Sequence, residues 1–357
     1  QCSNVFQFFS SSAWQARPVS RRSSRSVRMV RDVTTCGFGV PFVFQSSISQ
    51  IEMYMIGLFI GLLVLLILLT CIDFCYGLRV RKRMQAWEAS LSRGPDGVVE
   101  GCAPYELGTG QTGVLLVHGF ADSPALYRQI APALAAIGYR IRAIRLPGWA
   151  EPVERLASVT RSDWLEAIEQ GVADLKKQGC LHVVVVAHSL GAACALYLAA
   201  RQRLDVAALV TLTPMLKVSD KRSPLLSSRT WHEISNALFH HIPVFECVYP
   251  VDQQNPEGRD ENHRDRFIPR SVYDELFALM DALGGSADHI RLPVLMVLSK
   301  KDQIVDSDQA AAFFKSLGGE HKKLVALEDS GHVLPLDYEW EAVVELTRQF
   351  ISEHGSE

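Results

Sequence analysis

The eight cysteines are scattered, with no C-x-x-C pair among them, and two (Cys71 and Cys75) lie in or beside an apolar run. This pattern argues against a disulfide framework or a zinc site and for reduced thiols in a reducing compartment. An excess of one charge is lacking too, and a net charge of −3 gives no electrostatic basis for nucleic acid as a partner. Acidic residues are nearly missing from residues 1–50, where Asp32 stands against six arginines (Arg17, Arg21, Arg22, Arg25, Arg28 and Arg31). That serine-rich segment has no sustained period and reads as disordered, or as a leader that the working protein lacks, with Met53 as an alternative start. A transit peptide is the competing reading, disfavoured because no amphipathic helix is evident.

Charge disappears altogether from residues 53–72, MYMIGLFIGLLVLLILLTCI, between Glu52 and Asp73. At helical rise these twenty residues span about 30 Å, the thickness of a bilayer's hydrocarbon core, so the run predicts a transmembrane helix. Arg79, Arg81, Lys82 and Arg83 follow it, and the positive-inside rule puts that flank, with the main domain, in the cytoplasm. No Ala-x-Ala site follows, Leu68-Leu69-Thr70-Cys71 fits a lipoprotein box poorly, and Gly57 with Gly61 forms a GxxxG pair that reads as chance in an apolar run rather than as a helix dimer face. Residues 73–97 read as a juxtamembrane arm, helical and polar over 79–91, followed by a turn-rich linker at 92–97. The soluble domain is expected over 98–357.

Apolar residues make up 48% of the whole chain, enough for a sizeable core. Strands are expected at 114–117, 141–144, 183–186, 206–212, 294–298 and 323–327, alternating with helices at 126–137, 164–177, 190–200, 307–317 and 339–352. This β-α-β rhythm predicts a mostly parallel sheet covered on both faces. Residues 214–290 break the rhythm with helical patches at 231–240 and 272–283 around a polar stretch, 252–266, and read as a helical cap inserted over the sheet's working edge. Gly108, Gly110 and Gly113 match Gly-x-Gly-x-x-Gly, but they precede a strand and open no helix, so no dinucleotide site is inferred. His232-Glu233 with His240-His241 lacks the His-Glu-x-x-His spacing and reads as polar cap surface, not a metal site.

The chemistry gathers on Ala187-His188-Ser189-Leu190-Gly191, a small-x-Ser-x-Gly turn between a buried strand and a small-residue helix. Such an elbow lifts a serine hydroxyl above the sheet and aims the first helix amides at the same point. A serine nucleophile needs a base, and the base needs an acid to hold its tautomer. His332, after the strand at 323–327, is the base; Asp302, after the strand at 294–298, is the acid, with Asp306 as fallback. The amides of Phe120 and Leu190 are the expected oxyanion donors, while His118 and His188 are assigned supporting places.

With these residues the chain resembles the α/β-hydrolase fold superfamily, and within it the monoacylglycerol lipase and carboxylesterase group. The resemblance covers roughly residues 113–351 and rests on Val117-His118-Gly119-Phe120, Arg145-Leu146-Pro147-Gly148, the elbow, Asp302 and Ser330-Gly331-His332-Val333. The chain departs at Gly148-Trp149-Ala150, where the family often has Gly-His-Gly, and at Ala187 in place of the elbow's first glycine. The resemblance implies hydrolysis of a small-molecule or lipid acyl ester through an acyl-enzyme, with no metal or organic cofactor. Acyl transfer to another acceptor, and a catalytically silent binding module, are the alternatives. Epoxide hydrolase and dehalogenase chemistry would need aspartate at Ser189.

Overall fold

A β-branched run at residues 183–186 forms the middle of β4 (His182–His188), and all four side chains are buried. In this computed structural model residues 43–355 are described, except 224, 248, 249, 258, 260 and 261, so most of the expected leader lies outside the described residues. Around β4 lie β1 (Tyr105–Leu107), β2 (Thr112–Val117), β3 (Arg140–Ile144), β5 (Ala208–Leu212), β8 (Val294–Ser299) and β9 (Lys322–Leu327). The sheet order is β1-β3-β2-β4-β5-β8-β9. Only the short edge strand β1, unread in the sequence, runs antiparallel, against β3; the other pairings are parallel.

Strand side chains alternate between two cores, as a pleated sheet requires. Leu115, Val117, Val183 and Val185 face α4 (Arg161–Lys177), α5 (Ser189–Ala200), α7 (Arg270–Leu283) and α8 (Ser307–Lys315). Val114, Leu116, Val184 and Val186 face α2 (Ile130–Ile137) and α9 (Trp340–His354). Gly138 closes α2 at φ 113°, the left-handed cap that glycine adopts without strain. The sheet is thus covered on both faces, as the alternation predicts.

The insertion between β5 and β8 divides differently from the expectation. Val272, Leu276, Leu279 and Leu283 bury one face of α7 against α5 and the main core, so the second helical patch belongs to the layered body. What remains over the sheet edge is α6 (Ser228–Leu238) and an antiparallel ribbon of β6 (Val244–Glu246) and β7 (Phe267–Pro269). The short α3 (Val153–Leu156) lies under that ribbon.

The chain separates into two units, Gln1–Ile72 and Asp73–Glu357. One helix, α1 (Val43–Ala89), contributes to both. It is long and apolar enough to cross a membrane by length and composition, and the apolar part is unburied among the described residues. It begins ten residues before the expected start at Met53. Residues 73–89 belong to the second unit, whose boundary therefore precedes the one expected at 98. Tyr76, Val80, Met84 and Trp87, spaced as one helical stripe, pack on Val153, Val244 and Phe267. Arg83 reaches Glu246 at 2.8 Å, and the Val153 amide donates to Glu88 at 2.8 Å.

Candidate active site

Ser189 opens α5 with φ 51°, a left-handed backbone that a residue with a Cβ holds only when its surroundings fix it. Two glycines make the turn possible. A Cβ on Gly191 would stand 2.5 Å from the His118 carbonyl oxygen, and one on Gly119 would stand 2.8 Å from His188 Nδ1 and 2.9 Å from the Ser189 Cβ. The Met215 amide donates to the Ser189 carbonyl at 3.0 Å, tying the elbow to the end of β5.

The C-terminal ends of β4, β8 and β9 bring Ser189, Asp302 and His332 together. Ser189 Oγ lies 2.9 Å from His332 Nε2, and His332 Nδ1 lies 2.8 Å from Asp302 Oδ2. A carboxylate only accepts, so Nδ1 carries the proton and the Nε2 lone pair is left for the serine hydroxyl. All three are covered, at 1%, 0% and 4% exposure in that order. Asp302 Oδ1 accepts from the amides of Ile304 at 2.7 Å and Val305 at 2.8 Å. Burial opposes the Asp302 charge, but the His332 imidazole and these two amides outweigh it and hold the carboxyl below its ordinary range. Asp306, the fallback acid, instead caps α8 through the Gln309 amide at 3.1 Å and pairs with Lys217 at 2.9 Å.

The two neighbouring histidines are buried and backbone-bonded. His118 Nδ1–H donates to the Gly119 carbonyl at 2.9 Å and Nε2 accepts from the Leu146 amide at 2.9 Å, fixing the β2 and β3 loops to each other. His188 Nε2–H donates to the His332 carbonyl at 3.0 Å, which the Thr213 hydroxyl also reaches at 3.0 Å. Burial is the chief cause that pushes His118 down to about 4 and His188, with His332 beside it, down to about 3. Both imidazoles are therefore neutral near pH 7 and serve as supports.

Leu190 follows Ser189 directly in the chain, and Phe120 follows Gly119, where a Cβ would stand 2.9 Å from the Ser189 Cβ. Leu190 lies in the first turn of α5, where amides have no intrahelical partner. The Phe120 loop is held by the insertion: the Asp265 amide donates to the Ala121 carbonyl at 2.9 Å, and Asp265 Oδ2 accepts from the Ala150 amide at 2.8 Å. The Trp149 ring lies 4.9 Å from that of Phe120 and 6.1 Å from that of Trp164. Arg145 orders this corner, donating to the Trp149 carbonyl at 3.1 Å and pairing with Glu151 at 3.0 Å.

Sequence reasoning missed the carboxylates around the histidine loop. Asp337 accepts from the amides of Gly331, Gln254 and Asn255 at 2.7, 2.8 and 2.7 Å. Glu339 accepts from those of Asp329 and Ser330 at 2.9 and 2.8 Å. Asp252, from the polar stretch of the insertion, accepts from Gln303 and His332. Only the nearness of Asp337 and Glu339 to His332 in sequence signalled the first two.

A doubly covered, mostly parallel sheet with this elbow defines an α/β-hydrolase of the serine hydrolase class. The Hydrolase_4 family, described as serine aminopeptidase, S33, matches residues 110–339, and the chain belongs to it. It is 27% identical over 258 residues to a thermostable monoacylglycerol lipase of Bacillus sp. (strain H-257), covering 72% of this chain and 97% of the relative. It is 23% identical over 252 residues to a carboxylesterase of Bacillus subtilis (strain 168), covering 70% and 95%. Among solved structures, that of Paleococcus ferrophilus monoacylglycerol lipase matches with a TM-score of 0.59 at 20% identity, over 69% of this chain and 98% of the other. The enzyme class is that of carboxylic ester hydrolases of the esterase and lipase type.

Proposed function

We propose that this chain hydrolyses lipid or monoacylglycerol-like acyl esters through an acyl-enzyme, with Ser189 as nucleophile, His332 as general base and acid, and Asp302 orienting His332. The observation that carries the reading is the unbroken hydrogen-bond chain from Ser189 Oγ through His332 to Asp302. Ser189 Oγ attacks the ester carbonyl carbon as its proton passes to His332 Nε2. The tetrahedral oxyanion takes hydrogen bonds from the amides of Phe120 and Leu190, and the imidazolium is stabilised by the Asp302 carboxylate. Collapse expels the alcohol, which takes the proton from Nε2; water then repeats the sequence and frees the acid. The names of the two Bacillus relatives support an acyl ester as substrate.

In this reading α1 anchors the enzyme in a membrane through residues 53–72, with Arg79, Arg81, Lys82 and Arg83 holding the hydrolase unit on the cytoplasmic side. The chemistry is tested on the full chain with an ester panel of graded acyl length and a fluorophosphonate probe. Labelling at Ser189 with release of free acid supports it; release of acyl product only when an alcohol acceptor is added makes it a transferase. Carbonate extraction tests the anchor, and a reporter fused after Glu357 that works only outside the cytoplasm overturns the sidedness.

A further inference from the structure

One carboxylate outside the three side chains just discussed touches both loops that carry the acid and the base. Asp252 Oδ2 accepts from the Gln303 amide at 2.8 Å, one residue past Asp302, and from the His332 amide at 3.2 Å. The Asp252 carbonyl accepts from the Val333 amide at 3.1 Å, and it lies so close to Gly331 that a Cβ there would stand 2.6 Å from it. Asp252 Oδ1 faces the Arg222 guanidinium at 3.5 Å, and Arg222 also donates to the Pro250 carbonyl at 3.1 Å. The residue is 4% exposed.

The two loops leave different strands, β8 and β9, and no covalent link sets the gap between them. The Asp302–His332 bond is 2.8 Å long only if both loops sit where they do. A buried carboxylate shared by one amide from each loop fixes that gap, because losing it strands the buried His332 N–H, at about 1–3 kcal/mol, and frees the partly buried Gln303 N–H as well. Asp252 belongs to the insertion, not to either loop. The seating of the insertion is thereby linked to the alignment of the base.

We propose that Asp252 is a positioning residue that holds Asp302 and His332 in register and makes turnover depend on how the insertion is seated. This rests on reading Ser189, His332 and Asp302 as the reacting set. A misplacement of about 1 Å at such a site costs on the order of 10²-fold in rate. The test uses the full chain in detergent with a short soluble ester, turnover being normalised to sites titrated by fluorophosphonate. Asp252→Ala is expected to lose about 10²-fold in kcat, with KM changed by less than about threefold and the probe's labelling rate falling in parallel. Asp252→Asn keeps one acceptor oxygen at the same place and should recover about tenfold of that loss; it also serves where the alanine variant does not fold. A kcat per titrated site equal to wild type in the asparagine and alanine variants, or a loss confined to KM or to thermal stability, overturns the proposal. Wild-type protein that neither labels nor turns over removes the underlying triad reading instead, a result distinct from active wild type with unaffected variants.

Discussion

Asp73 Oδ2 accepts hydrogen bonds from the His241 amide at 2.9 Å and from its Nδ1–H at 2.8 Å, and from the His240 amide at 2.9 Å. The first charged residue after the apolar run is thus spent on capping backbone amides just past α6. A short residue is required opposite it, since a Cβ on Gly77 would stand 2.3 Å from the His241 carbonyl oxygen. Phe74 adds an edge-on contact to the His241 ring at 5.6 Å.

The place where the helix can be cut follows from this. The sequence suggests that the anchor and the enzyme part at residues 92–97 and that a fragment beginning near Arg83 suffices. Such a fragment lacks Asp73, Tyr76 and Val80, whose partners lie in the second unit. We expect a fragment starting at Asp73 to be more stable than one starting at Arg83 by about 2 kcal/mol or more, from lost apolar burial and orphaned amides. Urea unfolding of the two measures it, and equal midpoints and slopes would show that residues 73–82 contribute nothing.

Substitutions in the hydrogen-bond chain separate the acid from its fallback. Ser189→Ala or His332→Ala should lower ester hydrolysis by at least about 10³-fold with the fold retained, since such groups act as a unit. Asp302→Asn should cost a similar factor by leaving the wrong imidazole tautomer. Asp306→Asn should change kcat little, because its oxygens are engaged by Gln309 and Lys217. The reverse pattern in steady-state kinetics would move the acid to Asp306.

How much of this was legible in the sequence depends on how local the signal is. The buried strand at 183–186, the small-residue helix after it and the ends of β8 and β9 are written in contiguous residues, so the elbow and its two partners could be placed. The stripe of Tyr76, Val80, Met84 and Trp87 was masked by Arg79, Arg81, Lys82 and Arg83 between its members, which made the helix read as polar throughout. The polar stretch 252–266 has no period, and nothing local distinguishes a solvated aspartate from one that is buried on backbone amides. Asp252 and Asp265 are of the second kind. Their partners are 51 and 115 residues away, a separation that only the fold closes.

The two supporting histidines contribute to the loss of stability on the acid side. Folded His118 and His188 titrate at about 4 and about 3 because burial disfavours their charge, against about 6.5 in an unfolded chain. Between about pH 6.5 and 4 the unfolded chain therefore binds protons that the folded chain does not, and stability falls as pH falls. The slope is about 1.4 kcal/mol per pH unit for each histidine across that window, with no contribution above it. Asp302 acts in the same direction lower down: its folded carboxyl lies below the ordinary value of 3.8, so its contribution is present above that value and lost as pH falls through the folded one. Urea unfolding at pH 7, 6 and 5 should show the decline, and His118→Gln should make it shallower. A flat profile would mean that both imidazoles accept a proton in the folded chain.

Trp149 is the residue in the departing Gly148-Trp149-Ala150 corner whose consequences reach furthest. Its ring is fully buried between Phe120 and Trp164, so it backs the residue whose amide is assigned to the oxyanion. Its Nε1–H has no hydrogen-bond partner among the described residues, which makes the indole nitrogen a cost and the ring the useful part. Trp149→Phe removes that donor and keeps an aromatic face, and should change stability by less than about 1.5 kcal/mol with kcat nearly intact. Trp149→Ala should cost about 3 kcal/mol or more through the cavity it leaves. It should also let Phe120 move into the space, lowering kcat on short esters and flattening the dependence of kcat/KM on acyl length. Unfolding curves and the graded ester panel read the two effects separately. An alanine variant with unchanged acyl-length preference would show that the ring supports the fold alone and plays no part in what the site admits.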